Sequence, residues 1–124
     1  MKTMRLNPGD RVRITQDAWD HDCETIVATK GSIGIVLSYE EYAVPYIRKW
    51  NVTEPRLCAE HLAWIKQWIE EGIQYPIRFE IVKPLSEDLR VHMQEQGERF
   101  FVDCKVGDID ILSIPFLEKT ADSE

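Results

Sequence analysis

The chain has 124 residues, of which 44% are hydrophobic and 30% charged, as expected for one domain with its own core. The net charge is −7, which argues against general binding to nucleic acid. No Arg-rich or hydrophobic leader and no apolar run near 18 residues is recognised in the sequence, so we expect neither secretion nor a membrane span. Its three cysteines do not form a disulfide pattern. We therefore expect a cytoplasmic protein that does not enter a membrane.

Two strands are predicted in the first third of the chain. Residues 10–15 alternate charged and apolar side chains after a Pro-Gly turn, which indicates a half-buried strand. Residues 16–30 are polar and acidic and indicate a long loop. Residues 33–39 predict a second strand, in which Gly34 marks a bulge or a tight bend. Such bends suit the corners of a small barrel.

One long amphipathic helix is predicted over residues 54–71, within a helical insertion of about residues 43–74. Thr53 or Glu54 can cap its start, Pro55 is tolerated in the first turn, and Gly72 lies where a helix ends. Apolar residues and one histidine share a face at helical spacing, namely Leu57, Cys58, His61, Leu62, Trp64, Ile65, Trp68 and Ile69. The two tryptophans predict that this face belongs to the core or to an interface.

The last third of the chain returns to strand patterns. Residues 77–81 alternate as a strand does, whereas 89–96 fit either a strand or a short helix that ends at Gly97. Residues 100–104 and 106–112 predict further strands, with Asp108 and Asp110 on a solvent face. Residues 118–124 are polar and predict a frayed tail.

Several segments resemble the strands of bacterial SH3-like barrels. The opening two are Gly9-Asp10-Arg11-Val12-Arg13-Ile14 and Lys30-Gly31-Ser32-Ile33-Gly34-Ile35-Val36. They look like the first strands of the barrels in the nitrile hydratase beta subunit, the ferredoxin–thioredoxin reductase variable chain and KOW-type proteins. Residues 76–80 are similar to the third strand, and 101–102 and 107–112 to the closing strands.

The resemblance implies a mainly β fold with one long helix (α+β). Residues 1–124 would form a single SH3-like barrel domain with the helix inserted between its second and third strands. These motifs are structural and recur across unrelated functions, so the resemblance implies a fold and no activity.

A metal site is the first chemical possibility. Cys58 and His61 are three residues apart on the predicted helix, which suits a shared metal, and His21 with Cys23 could complete a Cys2His2 set. No second closely spaced cysteine pair supports zinc, and Cys58 and His61 fall on the apolar face. Packing in the core is the favoured interpretation, and no cofactor is predicted.

An acidic segment gathers four carboxylates around Trp19 and His21. Calcium and magnesium prefer oxygen ligands, but the segment lacks the glycine and the spacing of a known calcium loop. A solvated acidic loop that meets a basic partner is the favoured interpretation. The four residues are Asp17, Asp20, Asp22 and Glu24.

Aromatic residues give the best functional lead. Tyrosine and tryptophan are enriched at interfaces, where they offer a large apolar area with a polar group. A run of them follows the second predicted strand, and others lie in the acidic segment and on the helix. The candidate interaction residues are Trp19, Tyr39, Tyr42, Tyr46, Trp50, Trp64 and Trp68.

Three functions remain open. The first is a non-enzymatic protein-interaction or accessory module that binds a protein partner or itself, for example as a homodimer through Trp64 or Trp68. The second is a small-molecule or metal-binding protein whose pocket lies between helix and barrel and is lined by Trp64, Trp68, His61 and Cys58. The third is a non-catalytic subunit that supports an enzyme partner. We do not expect an enzyme, because no recognisable nucleophile–histidine–acid set and no phosphate-binding loop occurs.

Overall fold

The computed structural model describes residues 5–20, 24–97 and 101–120. These residues form a mixed α/β structure with eight strands and three α-helices. The strands lie in curled sheets that form a half-barrel. The strands are β1 Arg11–Ile14, β2 Ala18–Asp20, β3 Thr25–Ala28, β4 Ile33–Val36, β5 Gln74–Ile81, β6 Phe101–Val102, β7 Ile109–Ser113 and β8 Leu117–Lys119. The helices are α1 Tyr39–Trp50, α2 Pro55–Glu70 and α3 Glu87–Gln96, and a 3-10 turn spans Ile114–Phe116.

The described strands form two sheets. The larger is antiparallel throughout, in the order β7-β5-β4-β1-β8. The smaller has the order β2-β3-β6, in which β2 and β3 are antiparallel and β3 and β6 are parallel. The first and last of these strands, β1 and β8, are therefore neighbours in the larger sheet.

The predicted alternation of β1 is confirmed. Val12 and Ile14 are fully buried, whereas Arg11 and Arg13 are exposed. The apolar face of β1 packs into a core between the two sheets, together with Leu6, Ala18, Ala28, Val36, Tyr75, Ile77, Phe79, Cys104, Leu112 and Leu117. Burial of this apolar surface is the main stabilising contribution to the fold.

Glycine is required at position 34, where β4 pairs with β5. The register between these strands shifts between Ile33 and Gly34, so the predicted irregularity is present. A Cβ atom at Gly34 would collide with the Ile77 side chain and lie 2.9 Å from the carbonyl oxygen of Arg78. A side chain is therefore excluded by the close approach of the two backbones.

The predicted long loop over residues 16–30 is wrong, because β2 and β3 form a hairpin there. Ile26 and Ala28 of β3 are buried, and they anchor the segment to the core side of the small sheet. Asp17 closes the base of the hairpin by accepting a hydrogen bond from the backbone N–H of Lys30 at 2.8 Å. The candidate residues at positions 21–23 lie outside the described residues.

The prediction of one long helix is also wrong, because α1 precedes α2. The second predicted strand, 33–39, ends at Val36, and Ser38 then caps α1. The Ser38 hydroxyl accepts from the backbone N–H of Glu41, and the Glu41 carboxylate accepts from that of Ser38. This reciprocal capping box stabilises a helix start, so the backbone leaves the sheet at this point.

The second helix, α2, agrees closely with the predicted 54–71. It begins at Pro55 and ends at Glu70, followed by Gly72 in the left-handed region at φ 73°. Its buried face is narrower than predicted. Leu57 and Trp64 are 58% and 62% exposed, while the buried residues are Cys58, Leu62 and Ile65.

Helix α3 and strand β8 decide two predictions for the C-terminal third, the strand or helix over residues 89–96 and the frayed tail over residues 118–124. Residues 87–96 are helical, and α3 ends at Gly97 with φ 68°. The predicted frayed tail is wrong for its first residues, because β8 pairs with β1 and buries Leu117. Thr120 extends this pairing through its N–H to the carbonyl oxygen of Arg11. In the ranges that the structure describes, no helix is both long and apolar enough to cross a membrane.

Candidate functional site

Helices α1 and α2 pack against each other as an antiparallel hairpin. Their seam contains three small or apolar buried side chains, Ala43 of α1 and Cys58 and Leu62 of α2. Tyrosines at helical spacing on α1 cover this seam, namely Tyr39, Tyr42 and Tyr46. Because the linker of residues 51–54 is short, the end of α1 and the start of α2 lie side by side.

A hydrogen bond of 2.8 Å links Tyr42 Oη to His61 Nε2 across the seam. Burial lowers the pKa of His61 below its usual range. Burial, followed by the nearby Tyr46 hydroxyl, raises the pKa of Tyr42 above its usual range. Both side chains are therefore neutral at pH 7, and the bond joins two uncharged groups.

Aromatic rings continue from this bond toward the linker end of the hairpin. The rings of Tyr46 and His61 stack with centroids 4.5 Å apart and planes 21° apart. Tyr46 also stacks on Tyr42 at 5.6 Å and lies 6.3 Å from the Trp50 ring. Ring pairs in this range are attractive, so the rings form one ordered surface.

This surface forms one wall of a cleft of about 400 Å³, here called the hairpin cleft. Its lining residues are Tyr46, Trp50, Glu54, Leu57, Cys58, Glu60, His61 and Trp64. Trp50, Leu57 and Trp64 are each more than one third exposed. The hairpin cleft therefore presents a group of large apolar side chains to solvent, which is unusual for residues of this size.

The charged residues that line the hairpin cleft are acidic. Glu54 lies near enough to Tyr46 to help raise the pKa of its hydroxyl, although burial and Cys58 contribute more. Glu60 forms an ion pair of 3.6 Å with Arg56, which does not line the cleft. Both members of that pair are well exposed, and such pairs contribute little stability. The carboxylates among the lining residues are therefore Glu54 and Glu60, and only Glu60 has an ion-pair partner within the described residues.

A second cavity of about 280 Å³ adjoins Trp50 between α1 and β7. It is lined by Tyr42, Pro45, Tyr46, Lys49, Trp50 and Ile109. The Lys49 ammonium lies 5.3 Å from the centroid of the Trp50 ring, at a cation–π distance. The Trp50 indole therefore separates the acidic hairpin cleft from a cavity that contains a lysine.

The structure brings together four of the seven predicted interaction residues. Tyr46, Trp50 and Trp64 line the hairpin cleft, and Tyr42 supports it through His61. The other three lie elsewhere. Tyr39 lies at the far end of the hairpin beside Lys66, and Trp68 is half-buried next to Trp64. Trp19 lies in β2, opposite Ile26.

The predicted pocket between helix and barrel is placed differently in the structure. The cavity that contains Cys58, His61 and Trp64 lies between α1 and α2, and Trp68 is not among its lining residues. The reason is that α1, which was not predicted, packs on the face of α2 that contains Cys58 and Leu62.

The candidate metal ligands are engaged in packing. Cys58 is a buried free thiol in the seam, and His61 Nε2 is bound to Tyr42. His21 and Cys23 lie outside the described residues. Within 5–20, 24–97 and 101–120, no three His, Cys, Asp or Glu side chains are grouped to hold a metal ion.

Three lining residues were missed by the sequence analysis, namely Glu54, Leu57 and Glu60. Their place in the cleft depends on α1. A readable signal for α1 was present, because Tyr42, Tyr46 and Trp50 recur every four residues, as on one helix face. Pro45 obscured this signal, since proline inside a helix removes a backbone hydrogen bond.

Asp110 carries a carboxyl group whose pKa is raised by burial. It was predicted on a solvent face but is half-buried in β7, beside a cavity of about 200 Å³ that Phe79, Asp103, Cys104 and Asp108 also line. Burial raises its pKa to about 6, with smaller contributions from neighbouring aspartates. A hydrogen bond from the backbone N–H of Ile111 opposes this shift.

Comparison with known proteins gives no assignment: no family model matches the chain, and no match is found among curated proteins or solved structures.

Proposed function

We propose that this chain is a non-enzymatic protein-interaction module that binds its partner in the hairpin cleft. The observation that carries the proposal is the convergence of Trp50, Leu57 and Trp64, all exposed, on one cleft beside an ordered tyrosine stack. Tryptophan and tyrosine dominate the binding energy of many protein interfaces. Apolar side chains gathered on an open surface favour a macromolecular partner.

We further propose that the scaffold is an SH3-like barrel with the helical hairpin inserted between its second and third strands. Four of the five segments that carry the resemblance fall in β1, β4, β5 and β7, which are successive neighbours in the larger sheet, whereas the fifth, residues 101–102, forms β6 of the smaller sheet. The hairpin connects β4 to β5, where the insertion was expected. A reducing, cytoplasmic location fits the free buried thiols of Cys58 and Cys104.

Quantitative co-purification from the native host tests the binding site. We expect a tagged chain to recover a specific partner, and the double variant Trp50→Ala, Trp64→Ala to recover at least tenfold less, since each hot-spot truncation costs about 2 kcal/mol. Val106→Ala is the matched control, because Val106 is also an exposed apolar residue but lies in the turn between β6 and β7. Equal recovery by the double variant would exclude the hairpin cleft as the binding site.

A second candidate is a small-molecule site in the same cleft. A volume of about 400 Å³ lies within the range of small-ligand sites. The two candidates and self-association differ in the mass that accompanies the purified protein. A partner protein adds a second polypeptide, a small ligand adds a compound of low mass, and self-association doubles the mass of the chain. Native mass spectrometry of the tagged protein separates the three.

A further inference from the structure

The charges and rings of the hairpin cleft match one kind of side chain. We propose that it binds the cationic side chain of a lysine or arginine that lies among apolar residues in a partner protein. This inference rests on the proposed function and specifies the chemistry of the partner.

The first argument is charge complementarity. Glu54 and Glu60 line the hairpin cleft, no lysine or arginine among the described residues does, and the chain carries a net charge of −7. His61 favours its neutral form at pH 7, because burial lowers the pKa of its ring. A cation entering the cleft therefore meets two carboxylates, of which Glu60 is already paired with Arg56.

The second argument is the ring surface. An ammonium or guanidinium group is attracted to the face of an indole or phenol ring, most strongly to tryptophan. The cleft offers Trp50, Trp64 and Tyr46. Trp50 already lies at cation–π distance from Lys49, which lines the neighbouring cavity and not the cleft. The same indole thus accommodates an ammonium group within this fold.

The third argument selects a partner side chain over a small free cation. Small-molecule sites bury most of their ligand, whereas Leu57 and Trp64 are more than half exposed at the rim of the hairpin cleft. A free cation would leave these apolar groups in water. A polypeptide that inserts one basic side chain covers them with its neighbouring apolar residues, which adds hydrophobic stabilisation.

Arg56 is the internal competitor for the cation. Its guanidinium pairs with Glu60 at 3.6 Å, on the exposed face of α2. An exposed pair of this kind is weak, so a partner cation that also contacts aromatic rings displaces it at little cost. Arg56→Ala is therefore expected to tighten binding of the partner cation.

The test follows the indole N–H signals of Trp50 and Trp64 by NMR as peptides are added. The probes are the blocked peptide Ala-Leu-Lys-Leu-Ala, its norleucine analogue, which removes the charge, and tetramethylammonium ion. We expect the lysine peptide to shift both signals saturably and to bind about tenfold tighter than the norleucine peptide. Tetramethylammonium should bind more weakly than the lysine peptide.

Charge variants complete the test. Glu54→Gln with Glu60→Gln should weaken the lysine peptide about tenfold and leave the norleucine peptide unchanged. Glu54 makes no side-chain capping bond, so this change does not remove a helix cap. Glu95→Gln, on the exposed face of α3, is the control and should change neither affinity.

Three outcomes would overturn the inference. Equal binding of the lysine and norleucine peptides would show an apolar docking site, which leaves the proposed function intact. Tetramethylammonium binding as tightly as the lysine peptide would assign the site to a small free cation. Failure of both peptides to move either indole signal would exclude this partner chemistry, while the co-purification experiment decides the proposed function separately.

Discussion

Tyr42 of α1 and His61 of α2 are joined by a hydrogen bond of 2.8 Å between Oη and Nε2. This bond fixes the His61 ring on which Tyr46 stacks, and the Tyr46 ring in turn forms the wall of the hairpin cleft. The bond therefore couples the stability of the helical hairpin to the shape of the candidate site.

Removing the Tyr42 hydroxyl should destabilise the protein. Tyr42→Phe leaves the half-buried His61 nitrogen without its partner, and we expect a loss of about 1 kcal/mol in the free energy of unfolding. Denaturant unfolding measures the change. Tyr39→Phe is the control on the same helix, with an expected change below about 0.5 kcal/mol. Equal losses in the two variants would show that the hydrogen bond does not stabilise the hairpin.

The protonation of His61 should oppose folding. Burial lowers its pKa below 6.5, so its contribution to stability is complete above pH 6.5 and is lost as the pH falls through the lowered value. Titration of the His61 ring signals by NMR should give a midpoint below 6.5. A midpoint above 6.5 would mean that a nearby carboxylate, such as Glu60, outweighs burial.

The Asp110 carboxylate should reduce stability at neutral pH. Its pKa of about 6 exceeds the ordinary value of 3.8, so the folded state retains a proton that the unfolded state has lost between these values. Stability due to this group is therefore highest below pH 3.8 and falls as the pH rises through about 6.

The variant Asp110→Asn isolates this effect. It keeps a side-chain oxygen for the Ile111 N–H and removes the charge, so we expect a gain on the order of 2 kcal/mol at pH 7.5. The gain should disappear near pH 4. Unfolding of variant and wild type at both pH values, with Glu95→Gln as the control, measures it. A gain that does not depend on pH would rule out titration of Asp110 as its cause.

Replacement of either of two glycines by alanine should destabilise the protein, for a different reason at each position. Gly34→Ala places a methyl group against Ile77 and the Arg78 carbonyl, at an expected cost of about 2 kcal/mol or more. Gly97→Ala meets no atom within 4 Å, and its cost of about 1 kcal/mol comes from the left-handed backbone at φ 68°. Thermal unfolding of both variants tests this order. A smaller loss of stability from Gly34→Ala than from Gly97→Ala would contradict the close approach of the paired β4 and β5 strands.

Local patterns predicted the elements whose signals are contained in a few residues. The alternation of β1, the irregularity at Gly34 and the ends of α2 follow from side-chain period, backbone space and helix-ending glycine. Helix α1 was missed, because Pro45 interrupts its interior and the Ser38 capping box lies at the end of a strand pattern. Strand β8 was missed, because its polar residues gain order from pairing with β1.

The candidate site could be predicted only in part, because it depends on how two helices pack. The aromatic residues Tyr46, Trp50 and Trp64 were identified from their chemistry alone. The cleft also needs Glu54, Leu57 and Glu60, which line it together with residues of α1. No spacing within one helix indicates which residues of the next helix will lie opposite, so these three were not found.

Site-specific photo-crosslinking is the most direct test of the hairpin cleft as the binding site. A benzophenone amino acid replaces Leu57 in the cleft in one protein and Val106, in the turn between β6 and β7, in another, both exposed apolar positions. We predict that position 57 crosslinks one partner polypeptide in the native host, that Trp50→Ala abolishes this crosslink, and that position 106 does not capture the partner. Capture of the same partner from position 106, with none from position 57, would contradict the proposed site.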